Sequence, residues 1–149
     1  MIRVLCRTAH SNVMAELPLA QLPDALAVKH NLIWVDLSGE DNATFQPLLT
    51  DTFGFHPLAV EDALVEIHLP KIDDWDEYLY MVLYGVDFDR PKLEVDSHEV
   101  DTFLGPNYLV TYHSEHIAAI ERLRSIYQRD ARRLQRGRQE PADHVEDLG

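Results

Sequence analysis

The amino-acid sequence predicts an α/β layer fold, and three observations carry that reading. Residues 32–37, Leu-Ile-Trp-Val-Asp-Leu, form a compact apolar run closed by Ser38 and Gly39, the pattern of a buried strand. Residues 78–84 are apolar or aromatic at every position, which predicts a central strand covered on both faces. Toward the C-terminus Ile117, Ile120, Leu123, Tyr127, Ala131 and Leu134 recur at helical spacing. Strands interleaved with helices in this way require layers of both.

Taken in order, residues 2–7 form a short first strand and residues 17–29, mixing Leu, Ala and Pro, a short helix. Asp41 or Asn42 caps a helix running to about Thr52, which Gly54 breaks. Pro57 stands where a first helical residue belongs, and the helix it opens presents Leu58, Ala59, Leu64 and Val65 as its buried side before Pro70 closes the segment. Residues 87–96 form a polar link. Residues 100–104 and 108–112 flank Gly105-Pro106-Asn107, which is good hairpin chemistry. Ser114 can cap the basic helix that follows, with Glu115 complementing its dipole. Gly137 and Pro141 punctuate its end, and residues 142–148 begin a further helix.

The chain has 149 residues, a length that fits one domain spanning 1–149. Its single cysteine, Cys6, excludes an internal disulfide and a Cys-rich zinc module. No apolar stretch approaches the length of a bilayer span, and Arg7 interrupts the apolar start, so the N-terminus is no signal peptide. The net charge of −13 argues against nucleic acid and favours attraction to cations. The charge is uneven: residues 61–101 carry a local net of −10 and residues 117–140 a net of +4.

Several groupings are candidates for chemistry. Glu61, Asp62 and Glu66 share one short helix, and the like-charged neighbours Asp62 and Glu66 would be relieved by a divalent cation. Mg²⁺ needs little more, since it binds through one or two carboxylates and keeps several waters. The knot of Asp73, Asp74, Asp76 and Glu77 lacks the glycine and glutamate of a calcium loop and reads as a solvated turn. His113 and His116, with Asp101 or His98, are a weak zinc candidate at a strand-to-helix junction. No nucleophile elbow, phosphate loop or dinucleotide fingerprint occurs, and Cys6 reads as buried and inert. The chain is therefore not expected to be an enzyme.

The order of three segments is more specific. Phe55-His56-Pro57-Leu58-Ala59-Val60-Glu61-Asp62-Ala63-Leu64, then His68-Leu69-Pro70-Lys71-Ile72, then Tyr78-Leu79-Tyr80-Met81-Val82-Leu83 resembles the CorA family of magnesium transporters. Trp34-Val35-Asp36-Leu37 and Leu104-Gly105-Pro106-Asn107-Tyr108-Leu109-Val110-Thr111-Tyr112 are similar to the family as well, so the resemblance covers about residues 30–135.

The resemblance implies a cytosolic α/β/α sandwich with a mixed parallel and antiparallel sheet. It implies a homopentamer at the cell membrane, held there by C-terminal helices this chain lacks, with this domain on the cytoplasmic side. It implies regulatory Mg²⁺, or Co²⁺, Ni²⁺ or Zn²⁺, bound between subunits by Glu61 and Asp62, with Asp143 as a third carboxylate. Leu69 departs from the arginine usual before the Pro-Lys step, and the Gly-Met-Asn pore signature is absent. The expectation is an excised divalent-cation-sensing domain of a transporter. The alternatives are a free-standing protein–protein interaction module built on the same fold, or the domain of a zinc-transporting relative.

Overall fold

The computed structural model describes residues 1–65 and 69–130. In chain order these form β1 (Ile2–Arg7), β2 (Ala15–Glu16), α1 (Leu22–Ala27), β3 (Leu32–Ser38), α2 (Asn42–Pro47), α3 (Pro57–Val65), β4 (Lys71–Asp74), β5 (Leu79–Asp89), β6 (Glu94–Leu104), β7 (Tyr108–His113) and α4 (Ala118–Arg129). The strands make one mixed sheet in the order β2-β1-β3-β7-β6-β5-β4. Every adjacent pair is antiparallel except β3 and β7, which run parallel with Asp36 opposite Thr111 and Ser38 opposite His113. The sheet is thus two locally connected antiparallel halves joined along a single parallel seam.

Helices cover both faces, as the α/β/α layering requires. On one face α1, α2 and α3 bury Leu22, Phe45, Ala59, Val60 and Ala63 against Val4, Val35, Leu37, Tyr80, Phe103, Val110 and Tyr112. Phe55, just before α3, is the aromatic hub of this core. Its ring stacks on Phe103 at 4.2 Å between centroids and on Phe53 at 5.2 Å, and Tyr78 lies tilted 4.6 Å away. On the other face α4 buries Ile117 and Ile120 against Leu5, Trp34 and Val100. Its lead-in residue Ile117 packs over Gly85 of β5, and near its far end the Tyr127 carbonyl accepts from the Met14 amide at 3.0 Å. The helix therefore crosses the sheet from β5 toward β1.

Local sequence signals explain most element boundaries. Asp41 caps α2 by accepting from the Thr44 amide at 3.3 Å. A π-helical turn, Leu48–Thr52, extends α2, and Gly54 ends it at a φ of +70°, a conformation that favours glycine. Pro57 opens α3, and the His56 imidazole caps it: its Nδ1 accepts from the Leu58 amide at 3.1 Å. Gly105, Pro106 and Asn107 turn β6 into β7.

Four expectations are corrected. The buried side of α3 is Ala59, Val60 and Ala63, while Leu58 and Val65 are exposed. Two alanines and a valine make up that side, and the bulkier Leu58 and Val65 point outward. The apolar run 78–84 is not central, since β5 lies next to the edge strand β4, and Leu83 is exposed where α4 does not reach. The polar link is mostly strand: β5 and β6 continue as an 11-residue antiparallel pair, leaving only Arg90–Leu93 to turn. Cross-strand pairing along this ribbon overrides its poor strand propensity. Finally, α4 has no side-chain cap, because its N-cap position is Ile117 rather than Ser114.

Replacing Phe55 by Ala should cost about 3–5 kcal/mol, the range for an aromatic deleted from a packed core. Urea unfolding should show a lower midpoint with an unchanged slope.

Candidate functional site

The expected cation-binding carboxylates lie on α3. Because Ala59, Val60 and Ala63 turn inward, the helix period turns Glu61 and Asp62 away from the core, with Glu61 exposed and Asp62 half-buried. Asp62 already has a cation. Lys71 Nζ, at the start of β4, lies 2.8 Å from Asp62 Oδ2 and 2.9 Å from Asp73 Oδ2, and 5.3 Å from the centre of the Tyr80 ring. These hydrogen bonds to Asp62 and then Asp73 raise the Lys71 pKa, so the ammonium stays charged at neutral pH. Beyond β4 the acidic knot is partly strand and partly turn, with Asp74 Oδ1 accepting from the Asp76 amide at 2.9 Å. Among the described residues no three His, Cys, Asp or Glu side chains converge as a metal site. Glu66 and Asp143 lie outside the described residues.

The zinc alternative fails on geometry. Asp101 lies on the α1–α3 side of the sheet, where its Oδ1 accepts from the Tyr80 hydroxyl. Burial first, and then that hydrogen bond, push the Tyr80 phenol far up, so it stays protonated. His98 Nδ1 lies 2.9 Å from Glu115 Oε2, and its Nε2 is 3.7 Å from Asp87 Oδ2. His98 and Glu115 line an open, polar cleft of about 500 Å³. His116 is exposed, and His113 is buried with its own partners.

Those partners form a polar centre that the sequence reading did not single out. Asp36, in the middle of β3, is only 4% exposed. Its Oδ1 accepts from Thr111 Oγ1 at 2.6 Å and faces His113 Nε2 at 2.9 Å, while its Oδ2 accepts from Arg124 Nη2 at 2.9 Å. Trp34 Nε1 donates to Thr111 Oγ1 at 2.9 Å, so the threonine hydroxyl accepts one hydrogen bond and donates its own to Asp36. Arg124 also donates through Nη1 to Glu121 Oε2 at 2.8 Å. His113 Nδ1 contacts the Glu115 carbonyl at 2.6 Å.

Burial pushes the His113 imidazole down, but the hydrogen bond and charge of Asp36, with the Glu115 carbonyl, outweigh it and leave the pKa raised; the Arg124 charge opposes them. The legible signal was an aspartate inside an apolar run, with Thr111 and His113 two apart on one strand and Arg124 on the same helical stripe as Ile117, Ile120 and Tyr127.

The family model described as "CorA-like Mg2+ transporter protein" matches residues 29–148. The chain belongs to the CorA family. YfjQ of Bacillus subtilis (strain 168), named for metal ion transport, is 31% identical over 126 residues, covering 83% of this chain and 36% of its own length. The complete structure of the CorA magnesium transporter from Methanocaldococcus jannaschii shares the fold at a TM-score of 0.60 and 20% identity, over 83% of this chain and 36% of that one. The ZntB cytoplasmic domain from Vibrio parahaemolyticus does so at 0.61 and 12%, over 85% of this chain and 51% of that one. This CorA-family chain thus spans about a third of the length of the first two. No helix among its described residues is long and apolar enough to cross a membrane.

Asp36→Asn should lower stability by about 3–5 kcal/mol, because the buried Arg124 guanidinium then faces a neutral amide. Glu121→Gln, which breaks only the half-exposed arm of the network, should cost about 1 kcal/mol or less. Chemical denaturation of both variants measures the difference.

Proposed function

We propose that this chain is the cytosolic, divalent-cation-sensing domain of a CorA-type metal ion transporter. The observation that carries the reading is the outward pair Glu61 and Asp62 on the first two turns of α3, in a chain that belongs to the CorA family. The transporter is a homopentamer, anchored at the cell membrane by helices outside this chain, with this domain on the cytoplasmic side. The family is one of transporters rather than enzymes. The domain's own work is regulatory binding, not catalysis.

The chemistry follows from charge. Among the described residues of one copy no three such ligands converge, and the cation bridges copies: Glu61 and Asp62 of one, with Asp143 as a further carboxylate. Mg²⁺ suits such a site because it retains much of its water; Co²⁺, Ni²⁺ and Zn²⁺ are the other candidates. Without the ion, carboxylates crowded across the interface repel. With it they are cross-linked, and the conformational population shifts.

Lys71 is a built-in competitor. It neutralises Asp62 in the ion-free domain and keeps Asp73 as a second partner when the metal takes Asp62. A second reading, a protein–protein module that uses the same fold, draws on Val86, Phe88 and Val95, which lie exposed on the β5–β6 ribbon. A stable complex with another protein, together with indifference to divalent ions, would favour it.

In the intact transporter, Glu61→Gln combined with Asp62→Asn should leave uptake insensitive to internal Mg²⁺. Sensitivity equal to the parent protein would rule this site out. Lys71→Met should tighten Mg²⁺ binding several-fold in titration calorimetry, because it removes a competing cation held by charge-assisted hydrogen bonds.

A further inference from the structure

His113 stands between two groups that only accept hydrogen bonds. Its Nδ1 is 2.6 Å from the Glu115 carbonyl oxygen, and its Nε2 is 2.9 and 3.2 Å from the two oxygens of the Asp36 carboxylate. A neutral imidazole carries one N–H and one lone pair. In either tautomer that lone pair would point at an oxygen within hydrogen-bonding distance. Two N–H groups satisfy both contacts. The Asp36 carboxylate already accepts from Thr111 Oγ1 at 2.6 Å and from Arg124 Nη2 at 2.9 Å, so it meets His113 as an acceptor.

We propose that His113 is a buried imidazolium at neutral pH and that its second proton clasps α4 to the sheet, so that α4 loosens when the proton is lost. The clasp reaches α4 by two routes. Through Nδ1, His113 holds Glu115 in the segment that leads into the helix. Through Nε2 it shares the Asp36 carboxylate with Arg124, in the middle of the helix.

The surrounding charges are those of Asp36 on β3, Arg124 and Glu121 on α4, and Arg3 on β1, which lies 4.0 Å from Glu121. His98 on β6 faces the Glu115 carboxylate, not the carbonyl that His113 uses. Arg3 and Arg124 already balance Asp36 and Glu121, so what loss of the His113 proton removes is one buried donor, to Asp36 or to the Glu115 carbonyl.

The direction with pH follows from the raised pKa. The stabilisation is complete below the ordinary histidine value of about 6.5 and is lost as pH rises through the higher folded value. The inference does not depend on the cation-sensing reading, since none of these groups lies on α3 or β4.

Imidazole ¹⁵N–¹H correlation spectra of the 149-residue chain test the protonation state. At pH 7 both His113 ring nitrogens should show the shifts of protonated sites. A neutral ring with one unprotonated nitrogen at that pH would overturn the proposal. Hydrogen-exchange protection of the α4 amides should fall about tenfold relative to β1 as His113 titrates, in line with the loss of one charged hydrogen bond. Unchanged relative protection through that titration would also overturn it. In His113→Gln the relative protection should become independent of pH over the same range. If that variant does not fold, the parent chain's own titration decides.

Discussion

A single carboxylate, Asp36, sets the terms for one whole layer of this domain. An ionised aspartate buried in a sheet is penalised by several kcal/mol unless donors surround it. Here they come from three directions: Thr111 and His113 across the seam, and Arg124 from the helix above. Among the described residues the seam is the only parallel pairing in the sheet, and its register brings Thr111 and His113 to the face that Asp36 occupies. A slip of one residue would turn both donors to the opposite face and strand the carboxylate. The same carboxylate fixes where α4 rests, because only one azimuth of the helix delivers Arg124 to Oδ2. Strand register and helix placement thus answer to one charge.

The two acidic centres of the molecule contrast in what they can exchange. Around Asp36 the donors are buried and saturate the carboxylate. Around Asp62 the cation among the described residues is Lys71, a partly exposed side chain divided between two carboxylates. Exposed ion pairs of this kind contribute little to stability and exchange easily. A centre of the first kind holds a fold together, while one of the second kind can trade an ammonium for a metal ion. α3 and α4 pack against opposite faces of one sheet, so the two carboxylates lie on opposite sides of it.

Much of the fold was legible because short-range rules dominate where they are strong. The apolar run 32–37, the proline that opens α3, the Asp41 cap and the turn at Gly105, Pro106 and Asn107 all act within a few residues. The failures share a cause. Strand order is a long-range property, so a fully apolar run such as 78–84 reads as central when it is next to an edge. The inward face of α3 was misread because the side of a short helix that meets the sheet is set by distant strands, not by which of its residues are most apolar. The candidate carboxylates Glu61 and Asp62 lie on the outer side of α3. The Asp36 centre was not assembled in advance, since its members span residues 34 to 124 and meet only once β3, β7 and α4 are in place.

The seam also divides the molecule in time. The ladder β2-β1-β3 closes within the first 38 residues, and the meander from β4 to β7 within residues 71–113, so each half is built from neighbours in the chain. Their junction pairs Ile33 with Tyr108, a separation that makes it the slowest contact to find. Until it forms, both halves carry a naked strand edge, β3 on one and β7 on the other, each rich in branched and aromatic side chains. Such edges invite pairing with the wrong partner. During synthesis the first half emerges with its edge open and must wait for the last strand of the second, which makes the interval between β3 and β7 the period of greatest exposure to aggregation.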